Sequence, residues 1–346
     1  MKRGRCVRIS RIKAYWLRPG YRWCCLAWIG MAVVAQGQTC QGAAEVDPQQ
    51  RTAIETTAKR YFEMVARGDS AGLQQNSIPV VSVSFSGIEA AVKENQSAFS
   101  QAQMAVRSLY LLTAEGNEPL PRAEFLCGVF GASGQTPSSA VFVLHNLPPG
   151  KYGVVILDAK QSQDARSLTL ILQQAGPDWK LAGFYARSTQ INGHDGAWFA
   201  QRATEFKAKG QNRNAWFCIR QAIALTAPAD FVSTLATDKL YDQAQSLQPS
   251  DLPAEGNPLN VSAGSATYRV TAMFGLGVGS DFDLVVKYEA ADVSDTYKTF
   301  QNNVAVIKAI VAKYPEFRDA FDGVVARAVE PSGKDYGAML PMKEIK

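Results

Sequence analysis

Residues that could carry acid–base chemistry are few in this chain. Histidine is the commonest general acid–base and metal ligand near neutral pH, yet the sequence has only two, His145 and His194. His145 alternates with Val141 and Val143 on a predicted strand, so it points to the same face as these valines, which is a core or a pocket. His194 precedes a predicted helix, where a turn with Asp195 as the N-cap is expected.

Three residues are candidates for a pocket: Asp158, His145 and Tyr185. Asp158 ends a predicted strand, on the face that also holds Tyr152, Val154 and Ile156. An aspartate at a strand end also forms turns readily, because its side chain bonds to nearby backbone groups. No motif indicates that the three candidates converge, so we assign no catalytic residue.

Neither a metal nor a cofactor is expected. The two histidines are far apart, and the sequence has no zinc-type or calcium-loop spacing. It also has no P-loop, dinucleotide fingerprint or nucleophile elbow. The glycine-rich run at 275–280 lies between two predicted strands, which favours a hairpin turn over a phosphate site at a helix start.

The first 37 residues have the pattern of a signal peptide. A basic stretch ends at Arg22, an apolar run covers 23–35, and small residues follow at Ala35 and Gly37. The apolar run is shorter than the roughly 20 residues of a membrane-spanning helix. We therefore expect cleavage between Ala35 and Ala43, no stable membrane span afterwards, and a periplasmic or secreted protein. A short membrane anchor is the alternative.

Charge argues against nucleic acid as a partner. Of the 36 basic residues, eight lie in the first 35 positions, where no acidic residue occurs. The rest of the chain has 28 basic and 31 acidic residues, a net charge of −3. Binding to phosphate backbones needs a basic surface, which this balance does not supply.

Three cysteines follow the leader: Cys40, Cys127 and Cys218. An oxidising compartment permits a disulfide between Cys127 and Cys218. Both also lie in apolar runs, where a free cysteine is commonly buried. The sequence leaves the pairing open.

Residues 38–50 are small and polar, which predicts a tether, and 51–190 predict an α+β domain. Helical spacing covers 51–68 and 88–100, and six strand-like runs follow between 104 and 187. The run YFEMVARGDSAGL and the final pair SLTLILQQAGPDWKLAGFYAR resemble the NTF2-like (SnoaL-like, cystatin-like) fold. That resemblance implies a cone of bent antiparallel sheet with N-terminal helices and a pocket between the two.

Residues 194–247 predict two helices and a capping helix. The spacing of small and large residues around Gly210 resembles one tetratricopeptide unit. A single unit cannot bury its own apolar face, so we expect it to pack on the preceding sheet. The proline-rich segment 248–266 predicts a linker, and 267–346 predict a small α+β domain. A linker of this length predicts a groove between the helix pair and the last domain.

Three classes of function remain open, and the whole chain resembles secreted bacterial proteins of unknown function. The first is a non-enzymatic binding protein for an unknown protein partner or small ligand, suggested by the lack of catalytic residues. The second is a small-molecule enzyme with acid–base chemistry in an NTF2-like pocket. The third is a structural subunit of an envelope assembly. An open pocket with convergent ionisable groups would favour the enzyme; a pocket filled by apolar side chains would not.

Overall fold

The computed structural model describes residues 37–128, 134–160, 164–254, 256–278 and 281–346, which form an α+β fold. The predicted signal peptide lies outside these residues except for Gly37. The elements of the first half are β1 (Gln38–Gly42), α1 (Pro48–Arg67), α2 (Ser70–Gln75), α3 (Pro79–Val83), α4 (Ser86–Ser100), β2 (Gln103–Ala114), β3 (Leu120–Cys127), β4 (Ala140–Leu147), β5 (Gly150–Lys160), β6 (Arg166–Ala175) and β7 (Asp178–Ser188).

Helix α1 begins and ends at strong local signals. The Asp47 carboxylate accepts hydrogen bonds from the first backbone N–H groups, and Pro48 occupies the first turn, where its missing N–H costs nothing. Gly68 ends the helix with a φ of 71°, a left-handed conformation that glycine adopts without strain. One face of the helix is buried, as its spacing predicts: Ile54, Ala58, Tyr61, Phe62 and Val65.

The segment predicted as a tether, 38–50, is structured instead. Gln38–Gly42 pairs antiparallel with β2, and Cys40 forms a disulfide with Cys127 of β3. The polar composition of the segment suggested a loop. It forms a strand because β2 offers it an edge with free backbone groups.

All six predicted strands are present, but they form two sheets rather than one. The first sheet has the order β1-β2-β5-β6-β7, whereas β3 and β4 pair with each other in a second sheet. Short links commonly join antiparallel neighbours, but β5 pairs with β2 and not with β4. The link between β4 and β5 consists of Pro148 and Pro149, and Gly150, which begins β5, has a φ of 150°. Two prolines lack the N–H donors that continue a ladder.

The first sheet is covered on both faces. Helices α1, α2 and α4 pack on one face, and the β3–β4 sheet packs on the other. Residues of β5 alternate accordingly: Val155 and Leu157 face the helices, and Val154 and Ile156 face the second sheet. Burial on both faces explains why β5 and β6 are almost continuously apolar.

The second half contains β8 (Gln190–Ile191), β9 (His194–Asp195), α5 (Gly196–Ala208), α6 (Asn212–Thr226), β10 (Val232–Thr234), α7 (Leu235–Leu247), β11 (Leu259–Ala263), β12 (Ala266–Val278), β13 (Asp281–Glu289), α8 (Thr296–Lys313), β14 (Gly323–Val329) and β15 (Asp335–Pro341). Short 3-10 turns cover Pro315–Asp319 and Met342–Glu344. Strand β10 joins the edge of β4. The turn between α5 and α6 contains Gly210, at a φ of 74°.

Helices α5 and α6 pack on the last sheet, not on the first sheet as expected. Phe199 and Phe217 of the helices share one core with Phe282 of β13 and with Phe317 and Phe321. The helix pair thus buries its apolar face against another part of the chain, as a single helical unit must. It packs on the last sheet because the aromatic residues that contact it, more than 60 positions along the chain, belong to that part of the fold.

The segment 248–266 does not hold the helix pair and the last sheet apart. Its final part is strand β11, which pairs with β12. Earlier in the segment, the Asp251 carboxylate bonds to Arg213 of α6, and the Asp251 carbonyl accepts a hydrogen bond from the Tyr314 hydroxyl. The segment therefore contacts both the helix pair and the last unit of the chain.

The last sheet has the order β11-β12-β13-β14-β15, with β13 and β14 parallel and connected through α8. Asp295 caps helix α8, and the side chains of Tyr297 and Phe300 are exposed. The buried face includes Asn303, whose side chain accepts a hydrogen bond from the Tyr288 hydroxyl.

None of the helices in the described ranges combines the length and apolar character needed to cross a bilayer.

Candidate functional site

The layer between the helices and the first sheet is filled by large side chains. Tyr61 of α1 is fully buried, and its hydroxyl donates to the backbone oxygens of Asn76 and Trp179, both at 3.1 Å. Burial raises the pKa of Tyr61. The other members of the layer are apolar: Ile54, Phe62, Val65, Leu73, Phe99, Leu109, Leu111, Val155, Leu157, Leu168, Leu170, Leu172 and Leu181. The pocket that a cone would hold here is occupied by the core.

Asp158 lies on the other face of this sheet, away from the helices. Its strand neighbours Val154 and Ile156 on the same face pack on the β3–β4 sheet. The Asp158 carboxylate accepts a hydrogen bond from Arg107 Nε at 2.8 Å and lies 3.9 Å from Lys160 Nζ. Asp158 is therefore held in an ion-pair group at the end of the strand.

His145 and Tyr185 lie elsewhere. His145 pairs with Arg122 across the β3–β4 ladder, and its side chain is exposed because it lies on the outer face of that sheet. Tyr185 packs edge-on against Phe231, with ring centroids 4.8 Å apart, and burial raises its pKa. None of the described contacts joins Asp158, His145 and Tyr185 to one another. The structure does not bring the three candidates together.

Metal ligands do not converge either. Among the residues that the structure describes, no group of three His, Cys, Asp or Glu side chains is placed to hold a metal ion.

A cleft of about 780 Å³ lies between the two halves of the described chain. The end of the first sheet forms one wall and helix α6 forms another, with the end of β12 close by. Its polar lining is Glu94, Asp164, Arg166, Arg187, Ser188, Gln190, Asn192 and Gln221, and its apolar lining includes Ile191, Ala224, Leu225 and Leu276. Such a mixture of an apolar surface and a few polar groups is typical of ligand sites.

The two arginines of this cleft differ in how they are bonded. Arg166 donates from Nε and Nη2 to the Asp164 carboxylate, at 2.9 and 2.5 Å, and from Nη1 to Asn95 Oδ1 at 2.7 Å. Asn95 is itself buried. Arg187 is 2.7 Å from the carboxylate of Asp230, whose side chain is 92% exposed. Arg166 is thus held by three hydrogen bonds, whereas the described residues supply Arg187 with one solvent-exposed partner.

Gln221 of α6 reaches the same cleft. The residue is only 8% exposed, and no hydrogen bond joins its side-chain amide to another of the described residues. Its amide oxygen and nitrogen are not fully buried, so water in the cleft reaches them. Gln221 therefore offers both an N–H donor and a carbonyl acceptor to whatever enters the cleft.

The turn between β8 and β9 forms one border of the cleft. Asn192 and Gly193 have φ values of 50° and 76°, which Asn-Gly pairs adopt readily in two-residue hairpin turns. Ile191 is buried against Gly277, where an added Cβ would lie 2.9 Å from the Ile191 side chain. The close contact anchors the turn to the last sheet.

A second cavity, of about 250 Å³, lies on the other side of this turn. His194 stacks on Trp198 at its rim, with ring centroids 3.8 Å apart, and Asp195 caps helix α5 as predicted. Cys218 lines it as a free, buried thiol, and burial raises its pKa to about 12. This cavity is what remains of the groove expected between the helix pair and the last sheet.

Comparison with protein families, with characterised proteins and with solved structures finds no match to this chain. The site must therefore be judged on its own geometry. Sequence patterns did not reveal the cleft, because Arg187 and Gln221 belong to no motif and lie 34 positions apart. The one local signal was the Asn-Gly turn beside them.

Proposed function

We propose that this is an exported, non-enzymatic binding protein, and that its ligand or partner binds in the cleft between the two halves. The observation that carries the proposal is the filled layer between helices and sheet. In the NTF2-like resemblance that layer would be the reaction chamber. Here Tyr61 and a set of leucines occupy it, and Asp158, His145 and Tyr185 lie apart.

The disulfide between Cys40 and Cys127 supports the proposal that the protein functions outside the cytoplasm. Disulfides form and persist in oxidising compartments and are rare in reducing ones. The bond ties the first strand to the second sheet across 87 residues of sequence. Together with the tripartite leader, it favours a periplasmic or secreted protein.

The compartment is tested by peptide mapping of the native protein without reductant. We expect a linked pair of peptides containing Cys40 and Cys127, and a separate alkylated peptide containing Cys218. Cys218 serves as the internal control, because it is free in the fold. Recovery of Cys40 and Cys127 as two free thiols from native cells would contradict export.

The binding function is tested by mass spectrometry of the protein purified from its native envelope fraction. We expect one molecule, either a small ligand or a protein, in near-stoichiometric amount. A protein with Trp substituted at Ala224, on the cleft wall, serves as the comparison, since the larger ring fills the cleft. A native preparation that carries nothing, or equal loading of the Ala224→Trp protein, would contradict binding in the cleft. A large multi-subunit complex would instead favour an envelope subunit.

A further inference from the structure

We propose that the cleft between the two halves takes a small organic carboxylate, of the size of an amino acid or short peptide. The carboxylate binds Arg187, and the neighbouring amide of the ligand bonds to Gln221. The proposal rests on the proposed binding function and specifies its ligand class and its recognition residues.

Arg187 supplies the anion site. Its guanidinium lines the cleft, its side chain is 26% exposed, and its described partner is the carboxylate of Asp230. Because Asp230 is almost fully in solvent, that pair adds little to stability, and it involves only the Nη2 end of the guanidinium. A guanidinium presents five donors in a planar fork that matches a carboxylate in two-point contact.

Arg166 helps to define the same site without competing for the ligand. Three of its five N–H groups donate to Asp164 and Asn95, which hold it as part of the cleft wall. Arg187 has fewer bonds to the described residues than Arg166, so we place the ligand carboxylate at Arg187. A single carboxylate pairs with one guanidinium, whereas a multiply charged phosphate group needs more positive charge.

Gln221 adds a requirement that a simple anion does not meet. Its side chain lines the cleft, has no hydrogen-bond partner among the described residues, and keeps its amide atoms accessible to the cleft. A ligand that replaces water at this amide must supply matching hydrogen-bonding groups, because an amide left unpaired in a closed site costs free energy. A peptide bond, or the polar group next to a carboxylate, supplies the donor and acceptor that pair with both ends of the glutamine amide.

The rest of the lining favours an amino-acid-like ligand. Leu225, Ile191 and Leu276 form an apolar surface for a side chain, and the exposed carboxylate of Glu94 lies at the cleft and attracts an ammonium group. The cleft volume of about 780 Å³ falls within the range of roughly 300–1,000 Å³ that is usual for small-molecule sites.

The test is calorimetric titration of the disulfide-bonded protein with alanyl-leucine and leucine, each compared with its C-terminal amide. The free acids should bind, and the amides should bind at least about tenfold more weakly, since a charge-assisted pair is lost. Equal binding of acid and amide would overturn the assignment of a carboxylate to Arg187.

Variants separate the residues. Arg187→Gln should weaken binding of the acid by about tenfold or more, and Gln221→Met, of similar volume, by about threefold or more. Arg269→Gln is the matched control, because Arg269 is also a strand arginine paired with an exposed carboxylate, Glu289, but does not line the cleft. Arg187→Lys keeps the charge without the fork, and should lie between wild type and Arg187→Gln. Unchanged affinity in folded Arg187→Gln protein would overturn the proposal.

The failure of this inference differs from failure of the binding function. If neither dipeptide nor amino acid binds, but the native preparation carries another molecule that Ala224→Trp excludes, the ligand class is wrong and the binding function stands. If the native preparation is also empty, both are wrong.

Discussion

Ile54 of helix α1 lies directly against Gly153 of strand β5. A Cβ added at Gly153 would lie 2.8 Å from Ile54 Cγ2, closer than real Cβ contacts allow. Because Gly153 has no side chain, helix α1 packs closely against strand β5 at this position. This contact closes the space in which a cone-shaped fold would hold its ligand.

Gly153→Ala should destabilise the protein by about 1–3 kcal/mol, because the extra methyl group overpacks a core that cannot expand freely. Urea unfolding measures the change. Gly87→Ala in α4 is the control, since nothing lies within 4 Å of an added Cβ there. That change should stabilise the helix by up to about 1 kcal/mol. Equal effects at the two glycines would show that α1 stands further from the sheet.

Trp179→Ala should cost about 3–5 kcal/mol of unfolding free energy, as expected for loss of a buried aromatic side chain. Trp179 is 5% exposed and packs in the layer below α1. Trp198→Ala, at a residue that is 38% exposed, should cost clearly less. A loss at Trp179 below about 1 kcal/mol, which is the range of surface substitutions, would mean that the closing strand pair β6–β7 is misplaced.

Signal cleavage should leave Gln38 on the mature protein, which narrows the expected cut to the bonds between Ala35 and Gln38. Gln38 begins β1, and its side-chain oxygen accepts a hydrogen bond from Glu124 N at 2.6 Å. A later cut would remove strand residues and approach Cys40. N-terminal sequencing of the native protein decides this. A mature chain beginning between Cys40 and Ala43 would contradict the role of β1, and an intact Met1 in the cytosol would contradict export.

Alkaline pH should destabilise the fold through Cys218. Burial raises the pKa of this thiol from 9.0 to about 12, so between these values the unfolded chain releases a proton that the folded chain retains. Stability is therefore complete below pH 9.0 and falls as pH rises, with a slope of up to about 1.4 kcal/mol per pH unit from this group. Tyr152, raised to about 12, adds a similar effect above its ordinary value of 10.0.

Cys218→Ala is the matched variant for this effect. The unfolding free energy of this variant should fall less steeply with pH just above pH 9.0 than that of the wild type. In this range the unfolded chain begins to lose the Cys218 proton, whereas Tyr152 still keeps its own, since its ordinary pKa is 10.0. Identical slopes in the two proteins would show that the thiol is not buried in solution.

Local sequence signals predicted the elements well and their partners poorly. Helix α1 followed from its spacing and from Gly68, and the strands from their alternation. The pairing of β5 with β2 rather than β4 was not predicted, because ladder partners depend on which edges are free after folding. Cys127 shows the same limit: the sequence suggested Cys218 as its possible partner, whereas the fold joins it to Cys40 and leaves Cys218 free, because distance in the fold selects the partner.

The sequence by itself determined the α+β class, the basic character of the first 35 residues, the negative charge of the remaining chain, and the lack of metal or cofactor motifs. Composition, periodicity and local turn chemistry are enough for these. Tertiary structure alone decided that the layer under α1 is closed, that the helix pair packs on the last sheet, and that Arg187 and Gln221 line one cleft. These outcomes depend on contacts between residues far apart in sequence, which no local pattern records.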